Sequence, residues 1–295
     1  MTAAVADIPQ RRPKRRLAQA GYLVAIGIVV AYLVVFFFWP LIGMVGQSLH
    51  QEGTPGLTLA VYQKILGTQA YINVIIATLR VSLEVTLVIL VLAYPIAMVL
   101  SAMPLRVVGA MMVFVVIPYF TSTLVRTYAW TVILGQSGVV NQILQGLGLI
   151  NQPIQFLYNE FGVIVGLVYV FTPFMVLVLY AVMRGIDTDY LRASASSGAG
   201  PIRTFWRVYL PLSMPGVVAG SLLTFVMCIG SYLTPALMGS PKQTMIAQMI
   251  QLALNQLLNW GLGAGLAVVL LVIVATTYLI YDRLVGMAKL FEATI

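Results

Sequence analysis

The stretch RGIDTDYLRASASSGAGPIRTFWRVY occupies residues 184–209 and runs on into LPLSMPGVVAG at 210–220. It is the longer of the two inner loops between apolar runs, the other being only about 101–106. Asp189 is placed to cap a helix running to Ser197, because a short acidic side chain satisfies free N–H groups at a helix start. Gly198-Ala199-Gly200 then ends that helix, and Pro201 suits the first turn of the next. Pro211 and Pro215 are expected to loosen the start of the apolar run that follows. A connector between neighbouring helices needs only about 2–8 residues. The extra length and small side chains read as a structured hairpin shaped to receive a soluble partner, with an ordinary solvated connector as the alternative.

Working outward, the chain around this hairpin is built for lipid. Of its 295 residues, 61% are hydrophobic and 8% charged, against roughly 45–50% and about 25% in ordinary soluble domains. The mean hydropathy is +0.99. Apolar runs at 21–44, 76–100, 107–130, 162–183, 210–233 and 262–281 are each long enough to cross a bilayer, since a helix rising ~1.5 Å per residue spans a ~30 Å core in about 20 residues. The expected fold is an all-α polytopic membrane protein with six transmembrane helices. The first run is too long for a cleaved signal and reads as a signal-anchor. The expected organisation is a basic tail at 1–19, a membrane domain at 20–285 containing the 184–209 loop, and a C-terminal tail at 286–295.

Six spans leave both termini on one side. With the N-terminus cytoplasmic, the inner segments hold twelve of the sixteen basic residues: Arg11, Arg12, Lys14, Arg15, Arg16, Arg106, Arg184, Arg192, Arg203, Arg207, Arg283 and Lys289. Cytoplasmic loops carry such an excess. The net charge of +8 therefore reads as topology and contact with the lipid bilayer, not as a nucleic-acid footprint. Trp39, Trp130, Trp260 and Trp206 fall near expected span ends, where an indole keeps its ring in hydrocarbon and its N–H wet.

Several chemistries are excluded. A single Cys and a single His permit neither an intrachain disulfide nor a His/Cys metal cluster. No G-x-x-x-x-G-K-[ST] phosphate loop occurs, so the chain lacks that route to ATP hydrolysis. No general acid/base pair stands out in the spans, so no catalytic residue and no cofactor are assigned.

The 184–220 segment resembles the coupling motif of binding-protein-dependent ABC importer permeases, in which Glu-Ala-Ala is followed by Gly and then by Leu-Pro. Here Arg192-Ala193-Ser194 stands at the usual Glu-Ala-Ala. Gly198-Ala199, Phe205, Val208, Leu210-Pro211-Leu212 and Pro215-Gly216 match the rest. Arg192 puts a base where the family has an acid that faces the ATPase, which implies a compensating acidic site on this ATPase. Further stretches are similar to the spermidine/putrescine-type group: PYFTSTLVRTYAW (118–130), GQSGVVNQILQGLGLI (135–150), GLVYVFTPFMVLVLYAVM (166–183), SYLTPALMGSPK (231–242) and NWGLGAGLAVVLLV (259–272). Together the resemblance spans roughly 20–285. It implies the type I importer permease fold and a non-catalytic subunit of a prokaryotic inner membrane. The partners it implies are two ATPase subunits that bind the ATP, a second permease and an external substrate-binding protein. The cargo it implies is a polyamine or related amine, with aminoethylphosphonate, opines or amino-acid-like solutes as alternatives.

Charges inside the spans are the remaining signal. Arg80 and Glu84 lie one turn apart and read either as a packing pair or as part of a substrate path. Tyr119, Tyr128, Trp130 and Tyr232 offer further path candidates, because aromatic faces attract cations, and Thr121 and Arg126 stand with them as possible path residues. Arg126, near an outer end, is expected to snorkel its head group to water. His50 reads as a surface residue, Cys228 as a small apolar filler, and Pro95, Pro118 and Pro173 as kinks. Gly261, Gly263 and Gly265 read as a close helix contact or a flexible entry, and 135–160 as one or two interfacial helices. An ion-coupled carrier is the competing class, and Glu84 is its one support among the span residues.

Overall fold

The computed structural model describes residues 14–50 and 56–292, and among these residues there are helices and no strands. The first helix, α1 (Lys14–Leu33), passes through a π-helical turn at Val34–Phe38 into α2 (Trp39–Ser48). Then come α3 (Ala60–Gly67), α4 (Gln69–Ala102), α5 (Leu105–Phe120), α6 (Thr123–Ile133) and α7 (Val139–Gly146). After these follow α8 (Glu160–Arg184), α9 (Thr188–Ser196) and α10 (Pro201–Thr204). A second π turn, Phe205–Tyr209, joins α10 to α11 (Leu210–Ile229). The chain closes with α12 (Leu233–Met238), α13 (Ile246–Asn255) and α14 (Trp260–Glu292). Residues 1–13, which include Arg11 and Arg12 of the expected basic tail, lie outside the described residues. Of the expected C-terminal tail, 286–292 continue α14.

Among the described residues, five stretches are long and apolar enough to cross a membrane: Ala25–Ser48, Gln69–Ala102, Glu160–Arg184, Pro201–Ile229 and Trp260–Arg283. The expected span at 107–130 differs. It is split into α5 and α6, and its apolar helix, Leu105–Ile117, is shorter than the other five. Pro118 withdraws one N–H from the last turn of α5. Ser122 then takes an extended conformation (φ −56°, ψ 134°) at the start of α6. Pro95 and Pro173, by contrast, sit inside the unbroken α4 and α8.

The main core is where α4, α8 and α11 meet. Val81, Val85, Ile89, Ala93 and Ala97 recur every four residues of α4 and are buried against Val163, Leu167, Met175, Leu179 and Met183 of α8. Lipid tails are as apolar as these side chains, so close packing rather than water exclusion holds such helices together. The glycines of α11 show how close the packing is. A Cβ added at Gly216 would lie 2.9 Å from Cβ of Val182, and one at Gly220 2.6 Å from Sδ of Met175.

A second cluster joins α3, the start of α4, α13 and the start of α14 through Val61, Ile65, Val74, Ile246, Ala253, Leu262 and Leu266. The glycines opening α14 serve close contact. A Cβ at Gly263 would meet Leu254, one at Gly265 would meet Val61, each at 2.6 Å, and one at Gly261 would meet the His50 carbonyl. Neither α3 nor α13 is expected from the sequence, because both are too short to stand out from polar connecting chain. The start of α13 is held from outside: Thr78 Oγ1 of α4, buried, accepts from Ile246 N at 2.9 Å. The 135–160 region contains one helix, α7. Buried Asn141 ties it down by donating to the carbonyls of Gly135 (3.1 Å) and Ile154 (2.9 Å). Asn159 caps α8 by accepting from Gly162 N at 3.0 Å.

Candidate functional site

The 184–209 segment leaves α8 and folds back as a hairpin. Asp187, not Asp189, caps α9. Its Oδ1 accepts from Asp189 N at 2.9 Å, and its backbone is extended. The sequence holds two acids two residues apart, and the helix starts at the earlier one. Asp189 instead lies in the first turn, where a carboxylate faces the positive end of the helix. There it pairs with Arg192 at 3.2 Å, and both side chains are more than three-quarters exposed.

Ser197 ends α9, and Gly198 follows with φ +77°. Gly198 N donates to Ala195 O (3.0 Å) and Ala199 N to Ser194 O (3.2 Å), so the free carbonyls of the last turn are satisfied. Glycine is required here by backbone conformation and not by space, since an added Cβ would meet nothing within 4 Å. Ser194, which departs from the usual Ala, lies 2.9 Å from Thr204 Oγ1 and so ties α9 to α10 across the turn. Arg192, Ala193 and Gly198 are exposed, and Ala199 is half-buried. Beneath α9 a crevice of about 480 Å³ is lined by Leu191, Ala195, Ala199, Phe205, Tyr209 and Met98 of α4.

The second short helix of the hairpin is not separate from the next span. Residues Pro201–Ile229 are one helix, widened at Phe205–Tyr209, where Leu210 N donates to Phe205 O. The widening lies just before Pro211, which has no N–H to offer Arg207 O and whose ring crowds it. The expected loosening by proline is therefore a π turn. It leaves Phe205, Val208, Tyr209 and Leu210 half-buried while Pro211 and Pro215 face outward. Gly216 is buried against Val182, one turn beyond Leu212.

The polar span residues fall into distinct groups. Arg80 Nε binds Glu84 at 2.8 Å and its Nη2 reaches Glu160 at the start of α8. Glu160 is a member the sequence reading missed, since the link crosses eighty residues. Arg126 does not snorkel: it is 6% exposed. Its Nη2 donates to Thr123 Oγ1 at 3.0 Å, its guanidinium lies 5.9 Å from the Tyr119 ring centre, and its Nε and Nη1 have no hydrogen-bond partner among the described residues. The burial follows from the break between α5 and α6, which turns α6 against α12. Thr127 and Thr234 meet there at 3.2 Å.

Trp130 packs edge-on against Tyr169 of α8 at 5.5 Å. It lines an almost wholly apolar cavity of about 660 Å³ with Val88, Leu92, Val168 and Thr172. Tyr128 lines a different, more polar cavity of about 600 Å³ with Thr131, Gln136 and Gln155. Thr121 lies exposed at the α5–α6 break, and Tyr232 is at the edge of exposure just before α12. His50 is exposed and Cys228 fully buried. Among the described residues there is no group of three or more metal-ligating side chains.

Residues 91–288 match the family described as binding-protein-dependent transport system inner membrane component. The chain belongs to this family. The spermidine/putrescine transport system permease protein PotB of Escherichia coli (strain K12) is 32% identical over 260 residues, covering 86% of this chain and 94% of PotB. A putative 2-aminoethylphosphonate transport system permease protein, PhnU, of Salmonella typhimurium is 29% identical, covering 76% of this chain and 78% of PhnU. A chain of a bacterial alginate ABC transporter, solved in complex with a periplasmic protein bound to alginate pentasaccharide, superposes with a TM-score of 0.73 at 18% identity. It covers 92% of this chain and 96% of that one, a likeness of fold alone. The chain is thus an ABC importer permease subunit: a non-catalytic, multi-pass translocation component of the inner membrane. That membership displaces the ion-coupled carrier.

Proposed function

We propose that this chain forms half of the translocation pore of an ATP-driven importer for a polyamine or a related small amine. A second permease supplies the other half. Two ATPase subunits bind on the cytoplasmic side, and an external binding protein delivers the solute. The N-terminus is cytoplasmic in this reading, because the bases of the inner segments then gather on that side.

The observation that carries the coupling role is the exposed hairpin around Gly198. A small-residue knob presents exposed residues at the end of the bundle, capped at both ends and braced by Ser194 and Thr204. Ala193, Gly198 and Ala199 present its steric face. ATP-driven closure of the ATPase pair draws this knob inward and turns the cavity outward, and hydrolysis resets it. Arg192 brings a base to the contact, partly offset by Asp189, so the facing ATPase surface is acidic.

The amine reading rests on the PotB likeness and on the carboxylates Glu84 and Glu160, which outnumber Arg80 within one cluster. The PhnU likeness favours the second reading, an aminoethylphosphonate-like, opine or amino-acid-like solute. Along the path Arg80, Glu84, Tyr119, Thr121, Arg126, Tyr128, Trp130 and Tyr232 remain the candidates.

Two experiments test these claims. In the assembled complex, Gly198→Asp abolishes stimulation of ATPase activity by the loaded binding protein; stimulation that persists removes the coupling role. Putrescine and spermidine raise the melting temperature of the cognate binding protein; a shift with aminoethylphosphonate alone overturns the amine reading.

A further inference from the structure

The hairpin has two feet, and both stand on one residue. Arg184, first in the 184–209 segment, donates through Nη1 to the carbonyls of Ser101 (2.6 Å) and Met103 (3.0 Å). Tyr209, last in the segment, places Oη 3.1 Å from Ser101 Oγ. The Ser101 hydroxyl spends its proton on Met98 O at 2.8 Å, so Tyr209 is the donor. Two turns back along α4 the pattern recurs. Ser213 Oγ donates to Leu210 O at 2.9 Å and lies 2.8 Å from Tyr94 Oη, which therefore donates to it. Phe205 lies between the two tyrosines, edge-on to Tyr94 at 6.1 Å and stacked on Tyr209 at 6.2 Å. Phe205 and Tyr209, four residues apart, share the side of the helix that faces α4.

We propose that Ser101 is a positioning residue that fastens both ends of the hairpin to the C-terminal end of α4, so that the hairpin and α4 move as one body when the ATPases close. The proposal rests on the reading of 184–209 as the coupling segment. The Arg184 foot caps carbonyls that α4 leaves free at its end. The Tyr209 foot is a single hydrogen bond whose loss costs little stability, because Tyr209→Phe leaves Ser101 Oγ still bonded to Met98 O. Without it the hairpin keeps one foot and pivots on Arg184, and its displacement no longer reaches α4 in full.

The test uses the full complex in lipid nanodiscs, with spin labels at Ser196→Cys on α9 and Val99→Cys on α4. Both positions are exposed, and the chain's own Cys228 is buried. Distances are measured by pulsed electron paramagnetic resonance without nucleotide and with ATP and vanadate. In the otherwise unaltered chain, one narrow distance distribution holds in both states. In Tyr209→Phe, and equally in Ser101→Ala, the distribution with nucleotide shifts and broadens. The double variant shifts no further than either single one, since both delete the same bond.

A shift with nucleotide in the unaltered chain, or no difference in the two variants, overturns the proposal. Ser101→Ala keeps the stacking of Tyr209 on Phe205 and carries the test if Tyr209→Phe does not assemble. The coupling reading fails separately: there Gly198→Asp leaves ATPase stimulation intact, whatever the label distances show.

Discussion

Arg80 on α4 and Glu160 in the first turn of α8 form an ion pair, and the same guanidinium holds Glu84 at 2.8 Å. One cation thus serves two carboxylates. Removing Arg80 leaves two neighbouring acids without a counter-charge, and their mutual repulsion makes this worse than removing all three charges together. Arg80→Met should therefore lower the melting temperature of the complex in nanodiscs more than the triple variant Arg80→Met/Glu84→Gln/Glu160→Gln does. Equal or reversed melting shifts would mean that the cluster does not hold α4 to α8.

The glycines of α11 make a finer prediction. Both Gly216 and Gly220 are buried against α8, yet what stands opposite differs. At Gly216 a new methyl meets Cβ of Val182, a stiff branched side chain; at Gly220 it meets Sδ of Met175, the flexible end of a long one. Methionine re-packs and valine does not. Gly216→Ala should cost about 1–3 kcal/mol of overpacking, and Gly220→Ala distinctly less. Val182→Ala should restore the loss at Gly216. Thermal melting of the three variants checks the order, and a larger loss at Gly220 would contradict it.

The ends of α9 can be separated in the same way. Asp187 supplies the cap and Asp189 only a charge in the first turn. Asp187→Ala should destabilise the hairpin by about 0.5–2 kcal/mol, while Asp187→Ser should be close to neutral. Asp189→Ala should lie well below the cap variant. Hydrogen exchange of the α9 amides in the complex reads the effect, with faster exchange in Asp187→Ala alone. At the other end, Gly198→Asn should be milder than Gly198→Val, because asparagine tolerates the left-handed conformation and a branched side chain does not.

How much of this was legible in the sequence follows from the range of each signal. Five apolar spans and the turn at Gly198 rest on local patterns and appear, but the run expected at 210–233 begins already at Pro201 and takes in the second helix of the hairpin. The split of 107–130 was not legible, because hydropathy averages across Pro118 and Ser122 and sees one run. The cap at Asp187 was missed because two acids of equal capping power stand two residues apart, and only the backbone at 187 decides between them. Glu160 as partner of Arg80, Ser101 as partner of Tyr209, and Thr78 at the start of α13 all join residues far apart in the chain. No periodicity in one sequence carries such pairings. Arg126 was misread for the same reason: its burial depends on α12, more than a hundred residues away.

That burial supports the last prediction. A guanidinium 6% exposed, with Nε and Nη1 unpartnered among the described residues, is a cost to the folded chain in this conformation, since buried N–H groups lose water without replacement. Its one hydrogen bond to Thr123 and the Tyr119 face offset only part of that cost. A linear apolar side chain of similar length removes the penalty and keeps the packing. Arg126→Met should therefore leave the melting temperature of the complex unchanged or raise it, the opposite of the usual result for a buried charge whose partners remain behind. If Arg126 belongs to the path, transport in proteoliposomes falls in the same variant although the protein is no less stable. A melting temperature several degrees lower would show instead that Nε and Nη1 are paired in the assembled importer and that the charge is structural.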